Sequence, residues 1–135
     1  MDELNGRVSE RIEVAARALA TLVEVLEQPA GAIVRDAAIQ RFEYSLETVW
    51  KAAQAYLRVH EGIDVGSPKG AVRSSREAGL LTDMEATLAL EMIDDRNLTV
   101  HAYNEAIAAR IAQALPGYRT LLQSWLARMS PIAMR

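Results

Sequence analysis

Apolar residues recur at alternating steps of four and three from the start of the chain, at Leu4, Val8, Ile12, Ala15, Leu19, Leu22 and Leu26. Such positions share one side of a helix, so the spacing predicts one long amphipathic helix, ended by Pro29-Ala30-Gly31. A second stripe at Ile39, Phe42, Leu46, Val49, Ala53 and Tyr56, widened by Trp50 and Leu57, predicts a helix from about Val34 to His60. Ser67 and Pro68 have the chemistry of a cap and a first helical residue, so a short third helix follows, stopped by Gly79. Thr82-Asp83-Met84-Glu85 has the form of a capping box, which starts a fourth helix carrying Leu88, Met92 and Ile93. In the last segment Ile107, Ile111, Ala114, Tyr118, Leu122, Trp125 and Met129 resume the four-three step across Pro116-Gly117, where a kink or break is expected.

These segments predict an all-α protein, an antiparallel four- to five-helix up-and-down bundle forming one domain over 1–135. Aromatic residues make up only 5% of the chain, too few to argue for strands. The stripes fill a monomer core in the ordinary reading, although Ala52, Ala53 and Ala55 would also let a partner helix approach closely. A net charge of -3 argues against coating nucleic acid through bulk positive charge, but leaves a local phosphate site possible. The absence of cysteine excludes disulfides, zinc-thiolate sites and a cysteine nucleophile. Met1-Asp2-Glu3 lacks the positive start of a signal peptide, and no run of about 20 apolar residues exists, so a soluble cytoplasmic protein is expected.

Chemistry concentrates between Asp94 and Glu105, where Arg96, Asn97, His101, Tyr103 and Asn104 fall close together. Arginine offers a planar fork of donors for phosphate, and histidine exchanges protons near neutrality. On a continuous helix Arg96, Val100 and Tyr103 would share one face and Asn97, His101 and Asn104 the next, so that all would line one groove. The competing structural account has Arg96 paired with Asp95 or a glutamate, Asn97 capping a helix end, His101 half-buried and Tyr103 packed. Asp94, Asp95 and His101 lack a recognised metal-ligand spacing, so no metal is expected, nor any other cofactor. Arg58, Lys69, Arg73 and Arg76 add positive charge, but Glu61, Asp64 and Glu77 dilute it, which favours a solvated face.

Four segments occur in order: Arg41-Phe42-Glu43-Tyr44-Ser45-Leu46-Glu47-Thr48-Val49-Trp50-Lys51, Ser67-Pro68-Lys69, Arg76-Glu77-Ala78-Gly79-Leu80, and Asp95-Arg96-Asn97-Leu98-Thr99-Val100-His101-Ala102-Tyr103. Together they resemble the nucleotidyltransferase substrate-binding family of the HEPN superfamily, which also contains HepT-type toxins. The most specific element is arginine, four residues, histidine, one residue, tyrosine. The resemblance implies a homodimeric bundle whose partner is a cognate minimal nucleotidyltransferase, the antitoxin of a toxin-antitoxin pair. It also implies a ribonuclease site in which Arg96 and His101 are catalytic and Asn97 accompanies them, with RNA as substrate and Tyr103 as an acceptor of adenylyl groups. Metal-free RNA cleavage needs a base, an acid and positive charge on the phosphate. One chain offers few such groups, so a two-fold dimer would supply the rest. The alternative is a non-catalytic subunit holding substrate for the transferase.

Overall fold

The computed structural model describes residues 2–129, and every regular element in that span is helical. Helix α1 spans Asp2–Leu26, α2 Ala32–Tyr56, α3 Pro68–Glu77, α4 Asp83–Leu98 and α5 Glu105–Arg128. The contacts between α1 and α2 reveal their direction. Thr21 meets Arg41 and Tyr44, whereas Arg7 and Arg11 lie beside Gln54 and Arg58, so one number rises as the other falls. The two helices are therefore antiparallel along their length. Between α2 and α5 the order is reversed: Arg35 bonds Glu105 and Phe42 stacks on Tyr118, so these two run the same way, as alternate members of an up-and-down bundle do.

Local chemistry explains the element ends. The last predicted turn of the second helix widens into a π-helical turn, Leu57–Glu61, closed by Gly62 at φ 66°, a left-handed conformation suited to glycine. Ser67 Oγ accepts the Gly70 amide at 3.0 Å with Pro68 in the first turn of α3, and Gly79 at φ 81° follows that helix. The Thr82–Glu85 box closes in both directions, at 2.9 and 3.1 Å. Arg128 then reaches back from α5 to Glu85 Oε1 at 2.5 Å and to the Leu80 carbonyl at 2.9 Å, fastening the far end of α5 onto the α3–α4 corner.

The core fills with Phe42, Leu46 and Val49 from α2, Leu22 from α1, Met92 from α4, and Ile111, Leu122 and Trp125 from α5. Trp125 is enclosed yet satisfied, because its indole N–H donates to Ser75 Oγ at 3.1 Å. The break expected at Pro116 is absent, and the core reading of the α2 stripe holds. Helix α5 passes unbroken through Pro116, since Ile111 and Leu115 before it and Tyr118, Leu122 and Trp125 after it are all buried and hold both halves against the bundle. Ala52 and Ala53 are fully buried within the monomer, so that face of α2 is already used. Among the described residues no helix is long and apolar enough to cross a membrane.

The hydrogen bond from Arg128 holds the Glu85 carboxyl below its ordinary pKa against the opposing effect of burial, with Thr82 assisting. A carboxylate depressed in the folded state stabilises above its unfolded pKa, and that contribution disappears as pH falls through the folded value. Glu85→Gln is therefore expected to lower the urea midpoint near neutrality, with the gap from wild type closing as the pH falls below the ordinary glutamate range. Removing the cap hydroxyl in Thr82→Ala is expected to cost about 1 kcal/mol in the same titration.

Candidate functional site

The segment carrying the chemistry is not one helix. Helix α4 ends at Leu98, a 3-10 turn covers Thr99–His101, and α5 begins at Glu105. The buried Thr99 donates its hydroxyl to the Arg96 carbonyl at 2.7 Å, and the Ala102 and Asn104 amides reach the Thr99 and His101 carbonyls. Asn104 Oδ1 accepts the amides of Ala106 and Ile107 at 3.0 and 3.3 Å as the N-cap of α5. The expected arrangement of two adjacent helical faces is thus replaced by a tight corner, and Asn104 is committed to capping rather than to the site.

The corner separates the candidate residues into two pairs. Arg96 and Asn97 project from the last turn of α4, Arg96 partly covered and Asn97 exposed. His101 and Tyr103 lie past the turn, where His101 Nδ1 stands 3.2 Å from the Tyr103 hydroxyl and the rings meet edge to face at 5.9 Å between centroids. Neither ring is used in packing: His101 is exposed, Tyr103 is 83% exposed, and the intervening Val100 is 69% exposed. Among the described residues no hydrogen bond links Arg96 or Asn97 to this second pair, and Arg96 forms no ion pair. A groove of about 280 Å³ runs beside Tyr103, walled by Thr99, Ala102 and residues of α2 that include Asp36 and Glu43.

The structural account in which Asp95 neutralises Arg96 is not what the fold adopts. Asp95 is 7% exposed and turned inward, accepting the Tyr118 hydroxyl at 2.5 Å on one oxygen and forming an ion pair with Arg110 Nη2 at 2.9 Å on the other. Burial first, then the bond to Asp95, raises the Tyr118 pKa well above the ordinary phenol value. Tyr118 also stacks on Phe42 with centroids 5.5 Å apart. Adjacent residues on a helix point in directions about 100° apart, so the inward lock on Asp95 turns Arg96 toward the surface. Asp94 on its other side is held by Lys69 at 2.7 Å.

Glu47 on α2 is a neighbour that sequence patterning did not single out. Burial disfavours its charge, but the Trp50 indole N–H at 3.0 Å, the Lys51 ammonium at 3.0 Å and the field of Arg96 outweigh that and leave its pKa lowered. The spacing of Glu47, Trp50 and Lys51 at three and four residues was the available signal. Three members of the diluted basic face are paired, Arg58 with Asp64, Lys69 with Asp94 and Arg76 with Asp83. His60 stands apart in the π-helical turn, stacked on Tyr56 at 4.5 Å.

The model of the family described as nucleotidyltransferase substrate binding protein like matches residues 10–131, and the chain belongs to that family. Among solved structures it is similar to that of ttk003001694 from Thermus thermophilus, with 54% identity, coverage of 86% of this chain and 98% of that one, and a TM-score of 0.83. No curated protein matches the chain.

The Asp95–Tyr118 bond makes its own prediction. Tyr118→Phe keeps the ring on Phe42 but removes a donor from a buried carboxylate, so a loss of about 1 to 3 kcal/mol is expected in chemical denaturation. A variant as stable as wild type would show that the bond contributes nothing.

Proposed function

We propose that this protein is a HepT-like HEPN toxin subunit, a homodimeric, metal-independent endoribonuclease neutralised by a cognate minimal nucleotidyltransferase. The observation that supports this most is the surface contact between His101 and Tyr103, with Arg96 one turn before it and uncompensated by Asp95. A histidine and a tyrosine left unpacked beside a tight, anchored corner are free for chemistry.

In this reading Arg96 holds the scissile phosphate and stabilises the charge that grows on its oxygens. His101 moves the proton. With Nδ1 facing the Tyr103 hydroxyl, Nε2 is the nitrogen that faces RNA, and Asn97 orients the phosphate. The ribose 2′-hydroxyl loses its proton and its oxygen bonds to phosphorus, while the bond to the 5′-oxygen breaks and that oxygen gains a proton. The products are a 2′,3′-cyclic phosphate and a 5′-hydroxyl end. A single His101 does not serve both proton transfers at once, so the second protomer supplies the other group across a two-fold axis. Adenylylation of Tyr103 would join its phenolic oxygen to the α-phosphorus of ATP with release of pyrophosphate, placing a nucleotide where the histidine contact stands.

The family description favours a second reading, in which the same surface holds a substrate for the transferase without cleaving it. Purified protein incubated with mixed cellular RNA in EDTA separates the two. Cleavage giving cyclic phosphate ends, reduced by about 100-fold or more in folded, dimeric His101→Ala and Arg96→Ala variants, is the expected result. Metal-dependent cleavage rejects this mechanism, and no cleavage by protein with Tyr103 bare by mass spectrometry favours the binding subunit.

A further inference from the structure

Away from the α4–α5 corner, α1 and α2 bound two adjoining grooves of about 220 and 360 Å³ that share Arg7 and Arg11 as walls. Lys51 contributes from α2 and Arg58 from the π-helical turn after it, whereas the carboxylates lining the grooves are Glu10 and Asp64. With Glu47, which holds Lys51 at 3.0 Å, counted in, the balance is four positive against three negative groups, a local charge of +1 in a chain whose net charge is -3. Arg58 is only loosely engaged, at 3.8 Å from Asp64, and Arg7 and Arg11 are exposed and in no ion pair among the described residues. Glu47, Lys51 and Gln54 step by four and three along α2, a stripe about 10 Å long, and Arg58 follows in the π-helical turn.

We propose that this α1–α2 channel binds the phosphate backbone of single-stranded RNA. The proposal deepens the ribonuclease reading by adding a track for its substrate. Guanidinium groups facing each other across a groove suit successive phosphates, and binding of this kind is sequence-independent and weakens with salt. A small anion needs only one such cluster, but the stripe and the turn after it offer a length that an extended strand can occupy.

The test measures binding apart from cleavage, by fluorescence anisotropy with a labelled 2′-O-methyl RNA oligonucleotide that lacks the nucleophilic hydroxyl, over a range of salt concentrations. Arg7→Ala/Arg11→Ala is expected to bind on the order of tenfold more weakly, with the salt slope reduced by about 1.4 for two lost phosphate contacts. Arg17→Ala/Arg76→Ala is the charge-matched control, because those side chains are engaged by Glu13 and Asp83, and it should bind close to wild type. Equal losses in the two double variants, or no binding by wild type, would overturn the channel. Groove-dependent binding without cleavage in EDTA would sink the ribonuclease reading alone, whereas cleavage with binding insensitive to Arg7 and Arg11 would sink the channel alone.

Discussion

The architecture around the candidate site depends on one buried carboxylate. Asp95 takes the Tyr118 hydroxyl on one oxygen and the Arg110 guanidinium on the other, and Tyr118 lies against Phe42. Three helices meet through that carboxylate: α4 supplies the acceptor, α5 the hydroxyl donor and the cation, and α2 the aromatic surface behind them. An unpartnered carboxylate in this position would carry a severe desolvation cost, so the rotation of α4 about its axis is set by where these partners stand. With the inward direction fixed at Asp95, the outward directions of Asp94 and Arg96 follow from helix geometry. Burial and exposure of neighbouring charges are thus one decision, made inside the bundle.

The corner after α4 extends the same constraint by local means. Thr99 folds its hydroxyl back onto the Arg96 carbonyl, and Asn104 closes the first amides of α5. Side chains of this kind compete with helix continuation and terminate it without glycine or proline. His101 and Tyr103 are carried between two anchored helix ends rather than on a long loop. At the opposite end of α5, Arg128 holds the bundle through Glu85 and Leu80, so the helix is tied near both ends.

Helix starts were legible in the sequence because their signals are local: Ser67 with Pro68, and Thr82 with Glu85, fold as their spacing implies. The apolar stripes likewise revealed the all-α bundle and the run through Trp125. The end of α4 was less legible, since no breaker follows Leu98 and the helical spacing of Arg96, Val100 and Tyr103 runs on past it. Asn104 followed by Glu105 did carry a cap signal, but the same residue also belongs to the polar cluster. Asp95 was the least legible, because a carboxylate in a run of charged residues looks solvated and its tyrosine partner lies 23 residues away. Similar distance hid the meeting of Arg7 and Arg11 with α2. The family could be read from the order of its motifs, whereas chemical roles for Arg96 and His101 came from resemblance, not from periodicity.

The contact between His101 and Tyr103 places two functional groups two residues apart, sharing one proton-bearing contact. A covalent group on the phenol leaves an oxygen that can only accept, so the contact with Nδ1 changes with no need for a message to cross the bundle. Replacing either residue removes the contact from both, so the two side chains form a unit in which neither changes without altering the hydrogen bonding of the other.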